Sequence, residues 1–228
     1  FAADVKDNSF GVTFKNLEDA NYSIIARATD AVGNIGESET STLIIDTVLP
    51  TLGGVMVTFG NQTLTPSPNG TIQTVTGVPI NIILSLKGGV TQAAILANNE
   101  SYGLKPIQGT NLWTATLLFK ISGVIPLILS AQDGAFNKIE KKLQTIFVEA
   151  PGKTYNSKTR SLLANVKISV FYFDFTSKTW VLWDGEGFGQ KNPFITHPDG
   201  TYSFMVPAGR YYIQANLPGF HTLQSEIL

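Results

Sequence analysis

The chain has no cysteine. Disulfides and thiolate metal sites are therefore excluded. No run of about 18 apolar residues occurs, so no membrane-spanning helix is expected. A signal-peptide pattern is missing as well. Charge is scarce: Asp, Glu, Lys and Arg make up 14% of the 228 residues. Sixteen basic against 17 acidic residues leave a net charge of −1. A nucleic-acid or anionic-membrane surface needs a basic cluster. The nearest approach, Lys138, Lys141 and Lys142, reads as a solvated strand end. No nucleic-acid partner is expected. A 3.6-residue apolar period is absent too, so almost no helix is expected.

Catalytic constellations are equally thin. The chain holds two histidines, His197 and His221. There is no Gly-x-Ser-x-Gly elbow and no His-Glu-x-x-His. A triad needs a base held against a nucleophile. His197 and Asp199 are close in sequence, but turn chemistry already accounts for both. No enzymatic activity is expected.

What the chain does have is alternation. Hydrophobic residues make up 43% of it, set among Ser, Thr, Asn and Gly. That composition is typical of extracellular β-proteins. The length suits two or three small domains. Alternation is clearest from Thr196 to Phe220. Asp199-Gly200 is a tight-turn pair. Tyr202, Phe204 and Val206 then alternate with polar or flexible residues, Pro207-Ala208-Gly209 breaks the run, and Tyr211, Ile213, Ala215 and Leu217 alternate again. This predicts two strands of a β-hairpin.

The order Thr196-x-x-Asp199-Gly200-x-Tyr202-x-Phe204-x-x-Pro207-x-Gly209-x-Tyr211, closing with Pro218-Gly219-Phe220, resembles the carboxypeptidase regulatory-like (transthyretin-like) domain. Gln190-Lys191-Asn192-Pro193 is similar to the segment preceding that turn in bacterial and archaeal members. The resemblance covers residues 151–228. It implies a small β-sandwich of extracellular habit and no catalysis.

Upstream, the pattern repeats. Ile24 to Asn34, with Ala28-Thr29-Asp30-Ala-Val-Gly33-Asn34, aligns with Leu127 to Asn137 in the run from Pro126, with Ala131-Gln132-Asp133-Gly-Ala-Phe136-Asn137. The offset is 103, from Asp30 to Asp133, about the size of one immunoglobulin-like domain. The first copy closes on Ile45-Asp46 and Pro50. These residues are similar to bacterial and archaeal immunoglobulin-like surface repeats. Two such domains are implied: the C-terminal part of one over 1–49, and another over 50–150. Phe10, Val12, Phe14, Tyr22, Ile24 and Ile44 supply a buried-face pattern for the first. About four strands are visible there, where such a sandwich has about seven. Strands supplied from upstream or by a neighbouring subunit are expected to complete it. The chain begins without an initiator Met and ends in mid-pattern, which suggests a piece of a longer protein.

Two candidate sites emerge. Asp30, Asn34, Asp46 and Asp133 offer oxygens to Ca²⁺, the only cofactor considered, although Asp and Asn also favour turns on their own account. Trp180, Trp183 and Phe188 could stack on a glycan. The two tryptophans lie three apart, so they point to opposite faces and one belongs to a core. Asn-x-Ser/Thr sequons stand at Asn21, Asn61, Asn69 and Asn99.

The expected architecture is all-β: tandem antiparallel β-sandwiches, immunoglobulin-like and then transthyretin-like. The expected role is a non-catalytic segment of an extracellular or cell-surface protein. A stalk, filament, adhesion or surface-layer module would suit it, with neighbouring domains or subunits as partners. The alternative is a carbohydrate-binding accessory region of a secreted hydrolase.

Overall fold

The computed structural model describes residues 1–6 and 9–228. The first stretch carries six short strands: β1 Asp4–Lys6, β2 Ser9–Gly11, β3 Ala20–Ile24, β4 Arg27–Thr29, β5 Ile35–Glu37 and β6 Ser41–Ile45. They pair only as β1–β2, β3–β6 and β4–β5, all antiparallel. Among the described residues, none before Pro50 is buried. The strand expected through Phe10, Val12 and Phe14 is reduced to β2, and the one through Tyr22 to Ala28 is interrupted at Ile25 and Ala26.

The next stretch builds ten strands: β7 Thr51–Phe59, β8 Gln62–Thr63, β9 Thr71–Val75, β10 Ile80–Lys87, β11 Val90–Ala97, β12 Glu100–Gly103, β13 Lys105–Pro106, β14 Leu112–Leu117, β15 Gly123–Asp133 and β16 Lys138–Glu149. One sheet runs β13-β14-β10-β7-β8 and the other β12-β11-β15-β16-β9. All these pairings are antiparallel except β9–β16, which is parallel. Alternate residues of each sheet meet in one core. Val57, Ile82, Leu84 and Leu117 come from the first sheet; Ile95, Leu127, Leu129 and Ile146 come from the second. Period-two burial along β10 shows the cause: Ile80, Ile82, Leu84 and Leu86 are buried while the residues between them are half-buried. Such alternation fits a strand with one core face, and two such sheets close a sandwich.

The final stretch holds β17 Gly152–Lys153, β18 Lys167–Asp174, β19 Thr179–Leu182, β20 Phe194–Ile195, β21 Thr201–Tyr202, β22 Tyr211–Asn216 and β23 Leu223–Gln224. Its main sheet runs β19-β18-β22-β23, with β20 also on β18. A separate pair joins β17 and β21.

Here the expected hairpin is not formed. β21 pairs with β17, whereas β22 pairs with β18. Phe204 and Val206 lie outside any strand and pack against a core of Val170, Trp183 and Tyr211. A side chain has taken the place of a strand partner. Gln190 Nε2 donates to the Met205 carbonyl at 2.7 Å, and the Met205 amide donates to Gln190 Oε1 at 2.9 Å. Its backbone groups satisfied in this way, the chain crosses from one layer to the other instead of folding back.

The Asp199-Gly200 turn forms as expected. Gly200 sits at φ 72°, and its amide donates to the His197 carbonyl. A Cβ there would lie 2.9 Å from the Thr154 carbonyl oxygen and 3.2 Å from that of Leu163. Thr201 does more than face outwards: its hydroxyl donates to Asp199 at 2.6 Å. Gly200→Val should therefore destabilise by about 2 kcal/mol or more, from left-handed strain plus the backbone clash. Thr201→Val should cost about 1 kcal/mol, for one exposed hydrogen bond. Urea unfolding of the two variants checks this; equal shifts would refute the turn assignment.

Candidate functional site

The structure separates the residues expected to gather around Ca²⁺. Asp30 and Asp133 each close a turn of the same design. The Asp30 carboxylate accepts from the amides of Val32 and Asn34 and from Asn34 Nδ2. The Asp133 carboxylate accepts from the amides of Ala135 and Asn137 and from Asn137 Nδ2. Asp46 uses one carboxylate oxygen on the Val48 amide, and its carbonyl accepts from Asn137 Nδ2 at 2.8 Å. Only Asp46 and Asp133 approach one another, through Asn137. Among the described residues, no group of three or more His, Cys, Asp or Glu could hold a metal. Calcium requires 6–8 oxygens, and this donor set does not fit it.

Electrostatics agree with turn closure. Hydrogen bonds from the Asn34 side chain and backbone hold the Asp30 carboxyl below its ordinary value. Burial works to raise the Asp133 carboxyl, but the hydrogen bonds from Asn137 and Ala135 outweigh it and hold it low. The Asp199 carboxyl is lowered mainly by the Thr201 hydroxyl and only slightly by His197. The His197 ring leans on Phe194, with centroids 5.2 Å apart. Tyr102 is pushed up to about 12 by burial and by its bond to Glu100. Its hydroxyl is committed to Glu100 and the Leu118 carbonyl, so it serves packing rather than proton transfer.

The three aromatics expected to stack on a glycan also part company. Trp183 is buried, 5% exposed, and is one of the core residues. Phe188 ends a single 3-10 turn, Glu186–Phe188, and lies 5.6 Å from Trp183 and 4.9 Å from Phe59, centroid to centroid. Trp180 points to the other face of the sheet. There it meets Phe173 at 5.3 Å and Tyr212 at 4.9 Å. Phe171 stacks on Tyr212, with planes 12° apart, and Phe175 packs edge-on against Phe173. Phe175 is 64% exposed, and Arg210 lies over its ring. The result is an aromatic strip across β22, β18 and β19 on the side away from Trp183. This is the best candidate for a binding surface. Rings at alternate positions of neighbouring strands do meet in this way.

Comparisons with known proteins bring no family. No protein-family model matches the chain, and no curated protein matches it. Solved structures give several likenesses, these three among them. The tetra-tandem repeat in the extending region of a large adhesion protein is 15% identical, with a TM-score of 0.33, over 98% of this chain and 60% of that one. Dimeric latent PorU from Porphyromonas gingivalis is 12% identical, with a TM-score of 0.34, over 99% of this chain and 25% of that one. A Ca²⁺-stabilized adhesin that helps an Antarctic bacterium reach out and bind ice is 10% identical, with a TM-score of 0.31, over 90% of this chain and 55% of that one. The chain thus spans less than two thirds of each. Likeness at this level carries no argument about its function.

One contact between distant parts of the chain was not visible in the sequence. Residues 184–189 read as a flexible loop, yet they join two parts of the chain. Besides the Phe188–Phe59 contact, Gly60 at φ 56° leaves room for the Phe188 ring: a Cβ there would stand 2.6 Å from it. Thr74 also donates its hydroxyl to Met205 Sδ at 3.7 Å. The Gly60-Asn61 pair, two residues suited to a tight turn, was the available signal.

The Asp133 turn generates a pH prediction. A carboxyl whose pKa is depressed by folding stabilises the fold above its unfolded value of 3.8, and that contribution is lost as pH falls through the folded value. Asp133→Asn should therefore melt well below the wild type at neutral pH. The gap should narrow as pH falls from about 5 to about 2. A gap independent of pH across that range would disprove the role.

Proposed function

We propose that the chain is a non-catalytic structural segment of an extracellular or cell-surface protein, a module that spaces or presents other domains. In this reading it divides into the end of an immunoglobulin-like domain (1–49), a second such domain (50–150) and a carboxypeptidase regulatory-like domain (151–228). One observation carries the reading. The chain enters the middle sandwich at one end and leaves it at the other, and side chains hold both junctions. At the first end Asn137 bonds the Asp46 carbonyl, and Gly88 abuts Pro50. Strand β7 then runs nine residues, about 30 Å, to Phe59. At that far end Phe59 meets Phe188. Opposed, fastened ends are what a spacer needs, because they limit bending between successive sandwiches.

Phe188→Ala tests this. Losing a half-buried aromatic contact should cost about 1–3 kcal/mol. It should split the calorimetric unfolding of residues 51–149 from that of 152–228 and broaden the particle dimensions in small-angle scattering. An unchanged, single transition with unchanged scattering would refute the spacer reading, as would turnover of a glycoside, ester or peptide by the purified chain.

The aromatic strip favours a second reading, carbohydrate binding by a secreted accessory module. Here Trp180 is the diagnostic residue, since Trp183 is core. On a glycan array, binding that Trp180→Ala reduces at least about tenfold with unchanged melting supports it. No binding by the wild type, or binding indifferent to Trp180→Ala, removes it.

A further inference from the structure

Residues 20–46 and 123–149 form the same hairpin in the same register. Ala20 pairs with Ile45 as Gly123 pairs with Val148. Tyr22–Leu43 corresponds to Ile125–Ile146, Arg27–Glu37 to Ser130–Glu140, and Thr29–Ile35 to Gln132–Lys138. Even the break between β3 and β4 has its counterpart, the register shift between Pro126 and Ile128. The same offset of 103 carries Phe10, Val12 and Phe14 onto Trp113, Ala115 and Leu117.

The later copy is covered and the earlier one is open. In the middle sandwich β11 lies on the edge of β15, β9 on that of β16, and β10 on that of β14. Trp113, Ala115 and Leu117 are all buried there. Their counterparts border an open groove of about 1080 Å³, lined by Phe10, Phe14, Tyr22, Ile24, Ala28 and Leu43 among others. Phe10 is 65% exposed.

We propose that this groove is an acceptor for an extended strand with the chemistry of β10. The strand lies antiparallel along Phe10 to Phe14. In the middle sandwich Ile80, Ile82 and Leu84 stand opposite Leu117, Ala115 and Trp113. The donor therefore places large aliphatic residues at three alternate positions, opposite Phe14, Val12 and Phe10. Its backbone satisfies the free edge and its side chains fill the groove, as in strand addition to an open sheet. The donor comes from outside these 228 residues, because the strands of residues 51–228 are already engaged in their own sheets. A second copy of this face offers another groove and no spare strand. The inference stands on the internal repeat and does not depend on the spacer reading.

The test uses the full chain and a synthetic peptide of residues 79–87, Pro-Ile-Asn-Ile-Ile-Leu-Ser-Leu-Lys. On adding it, amide exchange over Ser9–Phe14 and Ala20–Ile45 should slow about tenfold or more, while residues 51–228 are unaffected. A peptide carrying Ile80→Asn, Ile82→Asn and Leu84→Asn should have no effect. A Phe14→Asp chain should fail to respond while its middle sandwich melts as in the wild type. Several results would overturn the proposal: no slowing at about 1 mM peptide; equal slowing by the substituted peptide; residues 20–45 already as protected as 123–149 in a peptide-free monomer; or protection that follows self-association of the chain.

Discussion

One carboxylate governs the register on which the middle sandwich depends. Asp133 sits where β15 must turn into β16, and it gathers two amides and one side-chain amide of its own turn. A slip of one residue there would turn the inward side chains of one strand away from the face its partner keeps. Leu129 and Ala131 lie on the turn's side of the register shift between Pro126 and Ile128 and are buried in phase with it. The other strands of this sheet inherit that phase through their ladders. Asn137 then extends the effect beyond the sandwich by holding the Asp46 carbonyl. The turn thus ties register, core and junction together through a few hydrogen bonds.

Asp30 repeats the same turn without the same result. Its bonds match those of Asp133, and its strands pair in matching register, but no described strand extends their pairs into a larger sheet. Local chemistry suffices for the hairpin and not for burial. Tyr22, Ile24 and Leu43 have the alternation of core residues, yet the described residues before Pro50 form only two-stranded pairs. The two copies separate what a turn supplies from what a second sheet supplies.

How much of this was legible depends on the range of each interaction. Strand alternation, the repeat at 103 and the tight turn at Asp199-Gly200 are local patterns, and the residues show them directly. The layer crossing at Met205 is not local. It needs Gln190, a polar residue 15 positions away, to act as a strand edge. Asn192 does likewise on β18, exchanging hydrogen bonds with both backbone groups of Val170. A buried amide side chain that imitates a backbone leaves no periodic trace. The candidate site fared similarly. Opposite faces for Trp180 and Trp183 follow from strand geometry, but which face became core depended on Phe204 and Phe188, which arrive from elsewhere. The rings beside Trp180 come from two other strands, β18 and β22, and only the folded sheet lines them up.

The parallel pairing of β9 and β16 has a mechanical consequence. Strand β16 is the last of the middle sandwich, and in the proposed spacer any tension from the following residues would pull along it. Its ladder runs from Thr145–Thr71 to Glu149–Val75, side by side in the same direction. A hairpin pulled at its open end peels apart one bond at a time. A terminal strand pulled lengthwise past a parallel neighbour loads all the bonds of the ladder together, in shear. Under the proposed spacer role, a pull on the exit of this sandwich would load that ladder in shear, together with the ladder to β15.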